Sequence, residues 1–141
     1  MTAPIPILFS DDDLHPFIGE QVGIGVNRTV YRHNGRDDVV IKVQNRLPCR
    51  ANFTEWLLWN QMHGQPALRA LFARVWGLSD SGRYLVMERL LSLDERPLPP
   101  FPAFVIDRKR ENYGLSVDGL IKCLDYGDIS LSDTLVKADL I

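Results

Sequence analysis

The order of apolar and polar positions along the chain changes character several times. Residues 17–24 and 29–33 flank a Gly-containing turn, and 39–43 is a β-branched run after the turn Asn34-Gly35-Arg36-Asp37-Asp38, which predicts three strands. Over 50–62 the apolar positions Phe53, Trp56, Leu57 and Trp59 or Asn60 spread round one side of a helix. His63-Gly64 ends that helix, and Pro66-Ala67 opens a short helical segment reaching about Phe72. Residues 74–78 and 83–88 read as a hairpin around Ser79-Asp80-Ser81-Gly82. Pro97, Pro99, Pro100 and Pro102 forbid a helix over 91–102, leaving an extended bypass. Residues 104–127 then give a short strand, a polar loop, a hairpin turning at Val117-Asp118-Gly119, and a second polar turn.

The two ends read differently. Residues 1–16 hold Pro4, Pro6, Pro16 and the run Asp11-Asp12-Asp13, the pattern of a solvated arm ahead of a domain spanning 17–141. The alternative is a single turn capped by Ser10 or Asp13. Residues 128–141 place Leu131, Leu135, Val136 and Leu140 on one side of a turn or helix capped by Ser130 or Ser132. That apolar side is expected to cover the preceding hairpin or to pair two copies as a homodimer.

Composition narrows the function classes. A chain of 141 residues, 45% hydrophobic and 24% charged, fits one ordinary globular domain of α+β class. A formal net charge of -2 gives no field for nucleic acid. Cys49 and Cys123 lie far apart without a C-x-x-C or Cys/His cluster, so two reduced thiols are expected rather than a disulfide or zinc site. His15, His33 and His63 are scattered. No apolar run reaches membrane-spanning length and the start lacks a signal-peptide pattern, so a cytoplasmic protein with no membrane partner is expected.

The chemistry concentrates in 104–127. The first loop carries Asp107, Lys109 and Asn112 in the spacing D-x-K-x-x-N, and the second turn ends in Asp125-Tyr126-Gly127. A tight hairpin lays the two loops side by side. A carboxylate, an ammonium and an amide then meet a second carboxylate, a group able to hold a metal-bound polyphosphate and to accept a proton. Upstream, Gly23-Ile24-Gly25 precedes Val30-Tyr31, and Val39-Val40-Ile41 leads into Lys42. A lone G-x-G also serves any hairpin, and Lys42 alone could be an exposed lysine on an edge strand.

Together these motifs resemble the protein kinase family. The two loops are similar to its catalytic loop and its metal-binding D-[FY]-G turn, with Val105-Ile106 where the family has His-Arg. The resemblance implies Asp107 as catalytic base, Lys109 as the cation on the transferred phosphate, and Asn112 with Asp125 as ligands of Mg2+ or Mn2+. Gly23 and Gly25 match the phosphate-covering loop, in which Arg28 replaces the third glycine. Lys42 matches the lysine that contacts the α- and β-phosphates. Glu55, the sole acidic residue between Lys42 and Asp80, is its implied ion-pair partner, against the plainer reading of a solvent-facing glutamate. Residues 84–88 resemble the strand entering the hinge, where Met87 backs the adenine and backbone groups of Glu88 and Leu90 hydrogen-bond it. A core strand in which Met87 simply packs is equally compatible.

The implied fold is an α+β kinase small lobe: a twisted antiparallel sheet with one main helix, then a minimal catalytic-loop hairpin, without the large helical lobe. The implied activity is transfer of the γ-phosphoryl group of ATP to a hydroxyl of a protein or of the chain itself, a serine/threonine-type reaction. The alternative is a pseudokinase-like nucleotide-binding module that regulates a protein partner by binding. By analogy, a chain this short suits a regulator in a bacterium or a phage.

Overall fold

The computed structural model describes residues 8–25, 27–45, 50–93, 95–101 and 109–126. The chain joins its sheet earlier than the proline-rich start suggests. Leu8–Phe9 (β1) pairs in parallel with the strand Val75–Ser79, Leu8 opposite Leu78 and Phe9 opposite Ser79. Ser10 then caps the short helix α1 (Asp11–Leu14) by a reciprocal box: Asp13 N–H donates to Ser10 Oγ at 3.3 Å and Ser10 N–H to Asp13 Oδ2 at 3.2 Å. Residues 8–16 are therefore built into the domain, where the sequence reading put a solvated arm. The capped turn, its alternative, is the arrangement found.

Three antiparallel strands follow: β2 (Ile18–Ile24), β3 (Arg28–His33) and β4 (Arg36–Gln44). Asn34-Gly35 alone makes the β3–β4 turn, so Arg36, Asp37 and Asp38 already belong to β4. Helix α2 (Ala51–Gln61) and the single turn α3 (Pro66–Arg69) precede the hairpin of β5 (Val75–Ser79) and β6 (Tyr84–Glu88). A 3-10 turn at Arg110–Asn112 leads into the second hairpin, β7 (Tyr113–Leu115) and β8 (Ile121–Cys123). The fold is α+β. Its main sheet runs β1-β5-β6-β4-β3-β2. It is mixed rather than purely antiparallel as expected, because β1 adds to its edge in parallel.

Alternation along β4 and β6 divides the core in two. Val39 and Ile41 with Tyr84 and Val86 face Phe9 and Leu14. Leu85 and Met87 face Leu58, Met62, Phe72, Tyr113, Cys123 and Tyr126 on the side of α2 and the second hairpin. Being one residue on from Ile41, Lys42 must point to that second side. Fully burying side chains such as Leu58 or Leu85 stabilises the fold by about 1.5–3 kcal/mol each.

Helix α2 turns an unexpected side inward. Its buried residues are Ala51, Asn52, Glu55 and Leu58, while Phe53 is exposed and Trp56 and Trp59 are half-buried. The apolar face predicted from Phe53, Trp56, Leu57 and Trp59 is thus not the one that packs on the sheet. Two buried cations on β3 and β4 draw the polar side of the helix to them.

Backbone hydrogen bonds tie the second hairpin to the rest of the described chain at two places. Cys123 N–H donates to Leu71 O and Ala73 N–H to Cys123 O, both at 2.8 Å. Leu91 and Leu115 exchange hydrogen bonds of 2.9 and 2.8 Å. A Cβ on Gly114 would lie 2.5 Å from Leu90 Cβ and 3.0 Å from Leu91 O, so this crossing needs glycine. Gly119, with φ +84°, closes the hairpin turn in the left-handed region.

Candidate functional site

The site is a cluster of four charged side chains where β3, β4, α2 and the turn after β8 converge. Glu55, wholly buried on α2, lies at its centre. Arg28 at the start of β3 meets it as a fork: Nη1 donates to Oε1 at 2.7 Å and Nη2 to Oε2 at 2.8 Å. Lys42 Nζ donates to the same Oε1 at 3.0 Å and also to the carbonyl oxygen of Leu124. Arg28 Nη2 bridges on to Asp125 Oδ1 at 2.8 Å. Tyr126 N–H donates to Glu55 Oε2 at 2.8 Å, fixing the turn against the helix.

Charge sets the protonation states. Burial alone would raise the Glu55 carboxyl, but Arg28 and Lys42 outweigh it and hold its pKa at about 2. Burial lowers the Lys42 pKa, and the Arg28 charge lowers it further, while Glu55 and Asp125 pull the other way. Burial also pushes Cys123 up to about 12, so this thiol is not a nucleophile at neutral pH. Among the described residues the cluster sums to zero: two cations and two carboxylates.

Asn52 is a residue the sequence reading missed. Its Oδ1 accepts from Arg28 at 3.2 Å, and its Nδ2 reaches the carbonyls of Lys42, Gly82 and Arg83 at 3.1, 3.1 and 2.8 Å. It therefore ties both cation-bearing strands to α2. An asparagine three residues before Glu55 on one helix face was the available signal. Arg28 was read only as a missing glycine, yet its guanidinium joins Glu55, Asp125 and Asn52.

The other expected residues fall around this cluster. Leu124 N–H donates to Asn112 O at 2.8 Å, so the hairpin sets the Asn112 turn beside Asp125. The Asp125 side chain is 46% exposed. Its Oδ2 and the Asn112 amide make no hydrogen bond with the described residues. Lys109 is exposed, immediately ahead of the 3-10 turn, and Asp107 lies outside the described residues. Gly25 N–H donates to Arg28 O at 2.7 Å to close the β2–β3 turn. A Cβ on Gly23 or Gly25 would meet only ordinary contacts, at 3.8 and 3.5 Å, so the chain's own packing demands neither glycine.

Met87 has no exposed surface and belongs to the core. Glu88 N–H donates to Arg74 O at 2.7 Å, and its carboxylate accepts from Lys122 Nζ at 2.9 Å. Leu90 lines a groove of about 350 Å³ together with Leu93, Arg110, Glu111, Tyr113 and Leu124. One of its lining residues, Leu124, gives its carbonyl oxygen to Lys42, but none of the four charged side chains lines the groove. A larger groove of about 920 Å³ lies elsewhere, on the outer side of α2, lined by Trp56, Trp59, Trp76, Arg69 and Arg74 among others.

Among the described residues no group of three or more His, Cys, Asp or Glu side chains could hold a metal by itself. No helix there is long and apolar enough to cross a membrane. No protein-family model matches the chain, and no curated protein shows significant similarity to it.

Proposed function

We propose that the chain is a kinase-like nucleotide-binding protein that transfers the γ-phosphoryl group of ATP to a hydroxyl of a protein or of itself. The observation that carries this reading is the buried Lys42–Glu55 pair, 3.0 Å apart, with Asp125 bridged to the same glutamate through Arg28. Three charged groups from far-separated stretches meet there, and that convergence is what supports the reading. Leu124, whose carbonyl oxygen Lys42 meets, also lines the groove that holds Leu90, and Gly23 and Gly25 are glycines that the fold's own packing does not need.

The residues present suit magnesium or manganese that arrives with phosphate. Such an ion takes one or two protein oxygens and keeps the remaining positions for phosphate and water. Asp125 Oδ2 and the Asn112 amide are the two available, and the ion's part would be to neutralise phosphate charge. Asp107 would accept the proton of the attacking hydroxyl, Lys109 would neutralise charge on the moving phosphoryl group, and ADP would leave.

The test is a thermal-shift titration with ATP, with and without Mg2+, on wild type and Asp125→Ala. At about a hundred times its dissociation constant a ligand adds roughly 2.7 kcal/mol, a shift of several degrees. A magnesium-dependent shift that the variant loses supports the reading, and no shift with any nucleotide removes it. A second reading, a partner-regulating module without transfer, has one observation in its favour: Arg28 already occupies Asp125 Oδ1. Asp107→Asn divides the two, since it abolishes labelled-phosphate transfer under the first and leaves partner control unchanged under the second.

A further inference from the structure

Arg28 holds a position that is costly to explain as structure alone. Its guanidinium is nine-tenths buried and is spread over Glu55, Asp125 and Asn52. Glu55 already has Lys42 and the Tyr126 N–H, so it would remain paired without Arg28. Asp125 differs: Arg28 is the only cation paired with it among the described residues, and its side chain is 46% exposed. Arg28 is thus the counter-ion of Asp125.

Resting on the nucleotide reading above, we infer that Arg28 is a phosphate-binding residue that trades Asp125 for the nucleotide, so that metal and nucleotide enter only together. A divalent ion on Asp125 repels a guanidinium 2.8 Å from the same carboxylate. A polyphosphate beside it attracts the guanidinium, whose planar fork suits phosphate oxygens as it suits a carboxylate. Metal alone sets its dication beside the Arg28 guanidinium on the same carboxylate, with no phosphate to draw that charge away. Nucleotide alone leaves Asp125 facing phosphate as an uncompensated anion once Arg28 turns away. The pair together satisfies every charge. Arg28 starts β3 directly beyond the turn closed by Gly25, so it sits at the end of its strand, where a side chain can swing without moving the sheet.

The charge count gives the sign of each effect. Replacing Arg28 by glutamine takes the described cluster from zero to -1, which favours a free cation and disfavours a polyphosphate. The experiment measures Mn2+ alone by electron paramagnetic resonance, and ATP alone and Mn2+–ATP by calorimetry, on wild type, Arg28→Gln and Arg28→Lys. Wild type is expected to bind Mn2+ alone weakly and to gain strongly when ATP is added. In Arg28→Gln, Mn2+ alone should bind about tenfold tighter and ATP about tenfold weaker, with the coupling between them reduced by a similar factor. Arg28→Lys keeps the charge but not the fork, so it should keep the weak metal binding and lose part of the ATP affinity. Unchanged metal affinity and unchanged coupling in folded Arg28→Gln overturn the inference while the nucleotide reading stands. No nucleotide binding by wild type or by either folded variant overturns both.

Discussion

Helix α2 carries two opposite solutions to the problem of placing arginine. On its inner face Glu55 and Asn52 hold the buried Arg28 by hydrogen bonds. On its outer face Trp59 supports Arg69, whose guanidinium lies 4.0 Å from the ring centroid, and nearby Arg74 lies 3.6 Å from the centroid of Trp76. The inner arginine is matched by carboxylates. The outer pair is matched by aromatic faces and makes no ion pair with the described residues. An inward charge is tolerable only when every lone pair and proton is used, whereas a half-exposed cation needs little from its neighbours. The helix therefore buries two polar side chains, Asn52 and Glu55, beside Ala51 and Leu58, and leaves Phe53 exposed and Trp56 and Trp59 half-buried.

The sharpest way to break this contrast is to neutralise its centre. Glu55→Gln leaves Arg28 and Lys42 buried beside each other with only Asp125 to share. A loss of about 3–5 kcal/mol is expected in urea unfolding, because unmatched buried charge is the costly outcome. A loss below about 1 kcal/mol would mean that water or rearrangement reaches the cluster, and the inner and outer arginines would then be alike.

Acid titration makes the same comparison without a large structural insult. The Glu55 pKa is depressed in the folded chain to about 2 from an ordinary 4.5. Its contribution is therefore complete above about pH 4.5 and is lost as pH falls towards 2, amounting to roughly 3 kcal/mol. Asp38, lowered by its hydrogen bond to Arg36, adds to the slope in the same direction. The difference between wild type and Glu55→Gln isolates the cluster's share. Parallel stability curves for the two proteins between pH 5 and 2 would remove Glu55 as the acid-sensitive group.

Tyr126→Phe probes the seam between the cluster and the core. The phenol is fully buried, its pKa pushed well above 10 by that burial, and it donates to Ala73 O at 2.8 Å. Losing the hydroxyl leaves that carbonyl unsatisfied at a cost of about 1–2 kcal/mol. The backbone bond from Tyr126 N–H to Glu55 is untouched, so the acid slope should keep its shape. A changed slope would show that the side chain and the charged site move as one.

What could be read from the chain beforehand follows from the range of each interaction. The β3–β4 turn at Asn34-Gly35, the hairpin at Gly119 and the strand carrying Lys42 are local, and their residues announce them. Glu55 was found because no other acidic residue was near enough. The inward face of α2 was missed because apolar spacing favoured Phe53 and Trp56, and nothing within the helix reveals that two cations wait on other strands. The β1–β5 pairing joins residues about seventy apart in parallel, which no local pattern encodes. Arg28 is the clearest case. A motif reading measured it against an absent glycine, and only the folded chain gives it a partner at Asp125, ninety-seven positions away.

The smallest effect is expected on the outer face, and its smallness is what gives it value. Arg69→Ala removes a cation–π contact with Trp59 worth about 0.5–1 kcal/mol. It also removes a cation that is already strained, since partial burial and the neighbouring Arg74 both lower the Arg69 pKa. The two terms oppose each other, so the net change should lie within about 0.5 kcal/mol. Arg74→Ala should behave alike, and the double variant should cost more than the two single changes summed, because the repulsion that each single change relieves can be relieved only once. All three tryptophans of the chain line this groove, so their emission reports on the outer face directly. A shift in emission without a change in stability is the expected pair of results. A stability loss as large as that of Glu55→Gln would mean that Arg69 and Arg74 are held as firmly as Arg28, by contacts their positions do not reveal.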